Sequence, residues 1–168
     1  VVFERLMKQR RNKLGIYFFI YLIFPLQCLD SSELIMSKEP IQTNKAPEAI
    51  GAYSQAIKSG DFLFISGQIP LNPETMEIEN SSFEESAYRV ISNLENICLE
   101  AGASLNDIVK LNIYLIDLEN FASLNKVMEE KFSKPFPARA TVEVARLPKN
   151  VTIEAVSYTH LTLPTIAV

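Results

Sequence analysis

The stretch of residues 136–155 contains two runs of strict alternation, and this pattern constrains the fold most. Within residues 138–144, small and apolar side chains alternate with polar ones, and Arg139 falls on the polar side. The alternation resumes over residues 151–155, where Glu154 falls on the polar side. A proline and an asparagine separate the two runs, as is typical of a turn. The sequence therefore predicts two short strands joined by a turn.

The polar sides of these two strands carry a cation and a carboxylate, Arg139 and Glu154. If the strands lie near each other in one sheet, we expect both side chains to project from the same polar face. A fixed cation and carboxylate on a rigid surface suit a small anionic substrate that must meet a base or an oriented water. The alternative is a surface pair on a solvated sheet face, which would have no catalytic role.

Length and composition indicate one ordinary globular domain. The chain has 168 residues, which is enough for one hydrophobic core but short for two domains. Its hydrophobic content is 48% and its charged content 21%, values that are typical of soluble proteins. The formal net charge of -4 argues against a nucleic-acid binder that depends on phosphate contacts, because such proteins present a basic face.

The chain has two cysteines and one histidine, which limits the available chemistry. Cys28 lies in the N-terminal segment and Cys98 on the apolar side of a predicted helix, so we expect no disulfide between them and a buried, inert thiol at Cys98. His160 stands alone, which provides neither a zinc site nor a Ser-His-Asp arrangement. Catalysis would therefore depend on Arg, Glu, Tyr, Ser, Asn and backbone groups.

Residues 1–35 differ from the rest of the chain, and we interpret them as an extension outside the domain. A basic start is followed by a short apolar run over residues 14–28, which has the form of a signal peptide. The run is shorter than the ~20 residues that a membrane-spanning helix needs. We favour upstream sequence read through before a start at Met36, with a signal peptide second and a membrane anchor third.

The remaining periodicity predicts a mixed sheet with two helices on one face, an α+β fold. The pattern favours a helix capped by Ser81 or Ser82 and ended by Gly102. The element order is β-β-β-α-β-α-β-β. Before residue 136, the predicted strands are 41–44, 53–58, 61–66 and 108–116, and Ser59-Gly60 forms the turn between the second and third of them. The two predicted helices span residues 83–101 and 119–132.

The sheet face without helices would expose a partly apolar area that monomers seldom tolerate. We therefore expect the chain to associate with itself by sheet faces or edges. A closed ring such as a trimer is permitted by symmetry, and a pocket between subunits would follow.

Four phrases, in order and with consistent spacing, resemble the signatures of the Rid family, the reactive intermediate deaminases also known as the YjgF family. The likeness covers roughly residues 36–155 and is greatest to the RidA branch. The phrases are Ala46-Pro-Glu-Ala-Ile-Gly-Ala-Tyr-Ser-Gln-Ala56, Phe64-Ile-Ser-Gly-Gln-Ile-Pro-Leu-Asn-Pro-Glu-Thr75, Asp117-Leu-Glu-Asn-Phe-Ala-Ser-Leu-Asn125 and Pro137-Ala-Arg-Ala-Thr-Val-Glu-Val-Ala-Arg-Leu-Pro148.

The resemblance implies a chorismate-mutase-like α+β fold, assembled as a homotrimer with three clefts between subunits. It implies a 2-iminobutanoate/2-iminopropanoate deaminase that hydrolyses enamines and imines, such as 2-aminoacrylate and 2-iminobutanoate, to 2-keto acids and ammonia without a cofactor. Such an enzyme would limit metabolite damage in the cytoplasm, beside the PLP-dependent dehydratases that release these intermediates, or be exported if residues 1–35 are a signal peptide. The alternative is a non-catalytic trimer that binds a small carboxylate as a regulatory ligand.

The family pattern also implies roles for individual residues. Arg139 matches the arginine that holds the substrate carboxylate, and Glu154 matches the carboxylate that orients or deprotonates the attacking water. Several branches carry cysteine where this chain has Thr141, and proline is common where it has Ala52. The implied binding residues are polar side chains that line the cleft, Tyr53, Ser66 and Asn125, and positions that contribute backbone contacts, Gly67 and Thr141.

After Glu154 the chain departs from the family pattern. An alignment with two residues missing would place Glu154 at the next glutamate of the family. We assign residues 36–156 to the Rid-like domain and 157–168 to an atypical tail, in which 157–165 resembles translated adaptor or vector sequence. The alternative is a genuine lineage-specific tail. We expect the last strand to be shortened, which would weaken the sheet and the cleft wall.

Overall fold

A computed structural model describes residues 38–161, which form a six-stranded sheet with two α-helices. The elements are β1 (Glu39–Ile41), β2 (Ala56–Ser59), β3 (Phe62–Gln68), α1 (Phe83–Glu100), β4 (Ile108–Leu115), α2 (Phe121–Lys131), β5 (Ala138–Glu143) and β6 (Ile153–His160). The strands lie in the order β1-β2-β3-β6-β4-β5, and every neighbouring pair is antiparallel except β4 and β5. The predicted element order and the mixed α+β sheet are confirmed.

Helix α1 begins and ends where the sequence predicts. The Ser82 side chain accepts a hydrogen bond from the Glu85 backbone N–H, and two glutamates occupy the first turn, where the helix dipole favours negative charge. Gly102, with φ of +79°, follows the helix. The second helix is shorter than predicted, because the Asp117 side chain accepts from the Glu119 N–H and closes a separate 3₁₀ turn over Leu118–Asn120.

The core lies between the helices and one face of the sheet. Leu111, Ile113 and Leu115 of β4 point into it, together with the apolar face of α1. Simple alternation along the strand would place Val109 on the same face, but Val109 is 49% exposed, because the pairing with β6 shifts register between Ile108 and Lys110. Cys98 is fully buried, which confirms the predicted burial of its thiol, and this burial raises the pKa of the thiol to about 12.

The last strand is longer than expected. Strand β6 runs through His160, and the Leu161 N–H donates to the Asp61 carbonyl at 2.6 Å, so the prediction of a shortened strand is wrong. The expectations for residues 1–35, for Cys28 and for the end of the tail fall outside the described residues. No helix within residues 38–161 is long and apolar enough to cross a membrane.

The opposite face of the sheet carries exposed apolar side chains. Phe62 pairs with His160 and Phe64 with Tyr158 across β3 and β6, and both pairs stack edge to face. The two phenylalanines are 47% and 44% exposed, and Val142 on β5 is 45% exposed. This open face is therefore an apolar surface that no element within residues 38–161 covers.

Candidate functional site

The first candidate region surrounds Arg139, at the edge of the sheet. Its Nη2 atom donates to Asn125 Oδ1 at 2.8 Å, and its guanidinium carbon lies 5.1 Å from the centroid of the Phe121 ring. Helix α2 thus holds a cation that projects from β5. Next to it is an open cleft of about 350 Å³, lined by Asn125, Met128, Glu129, Phe136, Pro137 and Arg139.

Arg139 makes no ion pair within residues 38–161, and partial burial lowers the pKa of its guanidinium. An arginine side chain nevertheless stays charged in proteins. Thr141 follows two positions along β5 on the same face, and its hydroxyl is buried without a hydrogen-bond partner in the described chain. This region, which we call the arginine half-site, comprises Arg139, Asn125, Thr141 and Phe121. It suits a small carboxylate ligand.

The second candidate region surrounds Glu154, which projects from β6 into another cleft of about 340 Å³. The cleft holds two carboxylates, Glu48 and Glu154, and none of its described lining residues is lysine or arginine. Its wall is otherwise largely apolar. Besides Glu154, three predicted site residues line this cleft, which we call the glutamate half-site: Tyr53, Ser66 and Gly67.

The Glu154 carboxylate forms neither a hydrogen bond nor an ion pair with any residue that the structure describes. Burial raises its pKa above the usual range of a glutamate. A carboxylate without partners in a partly desolvated cleft is a stronger proton acceptor than one in water. The local chemistry of Glu154 therefore fits a general base.

Tyr53 and Ser66 already have partners in the protein. The Ser66 hydroxyl donates to the Ser54 carbonyl at 2.7 Å, which anchors the loop before β2. The Tyr53 hydroxyl accepts from the Ile50 N–H at 3.4 Å, and the residue is 48% exposed. Both side chains lie in the wall of the cleft, and each oxygen retains a lone pair that a ligand could use.

Arg139 and Glu154 do not share a face of the sheet, so that prediction is wrong. Arg139 lies beside Leu111 of β4, and Glu154 lies beside Tyr114. Because Leu111 and Tyr114 are three positions apart on one strand, their side chains point to opposite faces. Within one chain the two half-sites are therefore separate.

Sequence reasoning missed Gln55, which shapes the glutamate half-site. Its buried side-chain amide donates to the carbonyls of Thr43, Ala46 and Pro47 and accepts from the Thr43 N–H. The signal that could have indicated Gln55 is its position as a polar residue near the start of the strand-like run over residues 53–58. Glu48 and Phe121 were also missed, because only the fold brings them beside Glu154 and Arg139.

The described residues contain no group of three or more histidine, cysteine, aspartate or glutamate side chains placed to hold a metal ion.

Comparison with known proteins finds relatives that align with most of this chain. A RutC family protein of Pyrococcus abyssi is 55% identical over 125 residues, which are 73% of this chain and 98% of the relative. A 2-iminobutanoate/2-iminopropanoate deaminase of Dermatophagoides farinae is 41% identical over 117 residues, which are 70% of this chain and 91% of the relative.

The fold agrees with a crystal structure of RidA from the Antarctic bacterium Psychrobacter. The TM-score is 0.72 at 49% identity, and the match covers 73% of this chain and 99% of the other. The sequence profile of the family described as Endoribonuclease L-PSP matches residues 43–160. The chain therefore belongs to the Endoribonuclease L-PSP family, which is the Rid family that its four sequence phrases resemble.

Proposed function

We propose that the protein is a deaminase that hydrolyses 2-imino acids and their enamine tautomers, such as 2-iminobutanoate and 2-aminoacrylate, to 2-keto acids and ammonia. The observation that carries the proposal is the division of charge between the half-sites. One presents a guanidinium that has no ion-pair partner within residues 38–161, and the other presents carboxylates. A protonated 2-imino acid carries a carboxylate and an iminium group on adjacent carbons, so it matches both.

The two half-sites must then meet between copies of the chain. Arg139 of one subunit would lie opposite Glu154 of the next, because the sheet separates these residues within one subunit. The exposed phenylalanines of the open face favour such an association, since burying them against another copy removes apolar area from water. We propose a homotrimer with three equivalent clefts.

The reaction needs one water and no redox partner. Arg139 holds the substrate carboxylate, and the Glu154 carboxylate accepts a proton from water as its oxygen bonds to the iminium carbon. The protonated Glu154 then gives its proton to the nitrogen of the resulting carbinolamine, and its carboxylate accepts the hydroxyl proton as the carbon–nitrogen bond breaks. Ammonia leaves and the 2-keto acid remains. An enamine substrate first gains a proton on carbon to become the iminium.

Several site residues would support this chemistry. Asn125 orients Arg139, while Tyr53, Ser66 and the backbone at Gly67 and Thr141 contact the substrate. No cofactor takes part. The proposed setting is the cytoplasm, close to the enzymes that release imines, because these intermediates react with water within a short time.

The test is a trapping assay with the full chain. Threonine dehydratase generates 2-iminobutanoate in the presence of semicarbazide, and semicarbazone formation is followed by absorbance. The protein is expected to suppress trapping, and Arg139→Ala to restore it. The exposed Arg146 provides the control, because Arg146→Ala should suppress trapping like the wild type. Unchanged trapping by a folded wild-type protein would overturn the proposal in favour of a non-catalytic carboxylate-binding trimer.

Mixing variants tests the shared cleft. Arg139→Ala and Glu154→Gln should each be inactive alone. Refolded together in equal amounts, they should regain about one quarter of the wild-type activity, because random assembly in a ring pairs an intact Arg139 with an intact Glu154 in that fraction of clefts. If the mixture stays inactive although hybrid oligomers form, the site does not lie between subunits.

A further inference from the structure

A glycine lies directly beside the proposed base. A Cβ atom placed on Gly67 would overlap Glu154 Oε1 and would lie 3.0 Å from Glu154 Cδ and 3.3 Å from its Cγ. In real proteins a Cβ atom essentially never lies so close to another heavy atom. The Glu154 carboxylate therefore occupies the volume in which every other amino acid would carry its side chain.

The backbone itself does not require glycine at this position. Gly60 and Gly102 have positive φ angles, as glycine favours, whereas Gly67 lies outside that left-handed region. The reason for glycine at position 67 is therefore the space taken by Glu154 and not the local chain conformation.

The strand is irregular at the same place. Ile65 of β3 pairs with Ser157 and Gln68 pairs with Ala155, so that Ser66 and Gly67 together lie opposite one residue of β6. This is the pattern of a β-bulge, which bends a strand and changes the direction of its side chains. The Gln68 side chain donates to the Ser66 carbonyl at 3.1 Å and to the Gly67 carbonyl at 3.4 Å, which holds the bulge in place.

We propose that Gly67 is a positioning residue for Glu154. Because Gly67 has no side chain, the space beside it at the bulge is free for the Glu154 carboxylate. The carboxylate packs there against β3 and is thereby directed into the cleft. The inference rests on the proposed function for its catalytic meaning, while the packing of Gly67 against Glu154 stands on geometry alone.

A methyl group at position 67 is expected to change catalysis more than folding. The atoms that must move are the end of a flexible side chain, which can rotate toward solvent at little cost. Gly67→Ala should therefore keep its melting temperature close to that of the wild type. Displacing a base by about 1 Å reduces kcat on the order of 10²-fold, while KM should change little because the carboxylate clamp is on Arg139.

A double-variant cycle separates positioning from a general structural effect. Glu154→Asp shortens the side chain by one methylene, so the carboxylate of this variant does not fill the space beside Gly67. Gly67→Ala should then cost much less in a Glu154→Asp background than in the wild type. An equal loss of kcat in both backgrounds would overturn the proposal, because the effect would not act through the Glu154 carboxylate.

A second measurement is independent of activity. The pKa of Glu154 can be followed by ¹³C NMR of the side-chain carboxyl in the full chain and in Gly67→Ala. The alanine variant should titrate closer to an ordinary glutamate, because its carboxylate has moved into solvent. An unchanged titration curve would overturn the proposal. If the wild-type protein proves inactive toward imines, the proposed function fails and this titration still decides the role of Gly67.

Folding provides the last control. If Gly67→Ala lowers the melting temperature strongly, Gly67→Ala/Glu154→Ala should restore it, because the alanine at position 154 vacates the shared volume. A double variant that remains destabilised would show that something other than Glu154 excludes a side chain at position 67, and would overturn the proposal.

Discussion

Arg139 and Asn125 are joined by a hydrogen bond of 2.8 Å from Nη2 to Oδ1, across the contact between β5 and α2. The Phe121 ring lies against the same guanidinium. Together these contacts fix the orientation of the planar group while using one of its five N–H donors within the described chain. The other donors remain available to bind a carboxylate in a bidentate manner.

Asn125 is therefore expected to determine how well Arg139 binds substrate. Asn125→Leu removes the orienting hydrogen bond and should raise KM about tenfold to 100-fold, as for the loss of a hydrogen bond to a charged group. Asn125→Asp should raise KM further, because a carboxylate at this position pairs with Arg139 and competes with the substrate. Steady-state kinetics in the trapping assay measure both effects. An Asn125→Asp variant with wild-type KM would contradict the proposed clamp.

The activity is expected to depend on the ionisation of Glu154. Burial raises the pKa of this carboxyl, so the base becomes protonated, and kcat/KM falls, at a pH above the ordinary glutamate value of about 4.3. The acidic limb should shift toward lower pH in Gly67→Ala. This limb is measured from the pH dependence of kcat/KM over the range in which the protein stays folded. An acidic limb at or below the ordinary glutamate value would contradict the role of burial.

The same shift has a consequence for stability. A carboxyl with a raised folded-state pKa holds its proton to higher pH than in the unfolded chain, so folding loses stability as pH rises from the unfolded pKa through the folded one. At neutral pH the ionised Glu154 thus destabilises the fold. Glu154→Gln should raise the melting temperature at pH 7 and leave it unchanged well below the unfolded pKa. Calorimetry at the two pH values measures the difference, and equal shifts at both would contradict the assignment.

Two buried hydroxyls near the end of β6 are expected to weaken the core. Ser157 and Thr159 are fully buried, and neither hydroxyl makes a hydrogen bond of ordinary geometry within the described chain. The Thr159 hydroxyl interacts with the Cys98 sulfur, which is a weak hydrogen-bond partner. Ser157→Ala and Thr159→Val should each raise the free energy of unfolding by about 1 kcal/mol. Urea denaturation measures this change. Ser133→Ala at an exposed position should have no effect, and a loss of stability in either core variant would contradict the prediction.

Gln55 is expected to support both the stability of the domain and the shape of the cleft. Gln55→Glu keeps the acceptor for the Thr43 N–H but replaces the donor to three backbone carbonyls with an oxygen. The free energy of unfolding should fall by about 3 kcal/mol, since each lost bond is worth about 1 kcal/mol. The exposed Gln42 gives the matched control, because Gln42→Glu should leave urea denaturation unchanged. A stable Gln55→Glu variant would show that the loop does not depend on this amide.

The sequence was sufficient to predict the elements, because local periodicity reflects which side of each strand and helix is buried. The alternation around Arg139 and Glu154 correctly predicted both strands and the buried side of β6. It did not predict the orientation of β5, whose apolar side, with Val142, is exposed, while Arg139 and Thr141 face the helices. The Ser82 cap and Gly102 also correctly bounded the first helix. The second helix was predicted to begin too early, because a local turn capped by Asp117 precedes it. The spacing of the apolar residues is the same with or without this turn, so the sequence pattern did not reveal it.

The tertiary structure alone decided how these elements combine. Whether Arg139 and Glu154 share a face depends on their register against β4, which the alternation within β5 and β6 does not contain. The contact between Gly67 and Glu154 depends on a bulge in the pairing of β3 with β6, and the four hydrogen bonds of Gln55 depend on a loop packed against β2. A sequence pattern reports the faces of single elements, whereas strand register and loop packing arise from interactions between distant residues. For this chain, the sequence determined the fold class and family, and the tertiary structure divided the candidate site into two halves.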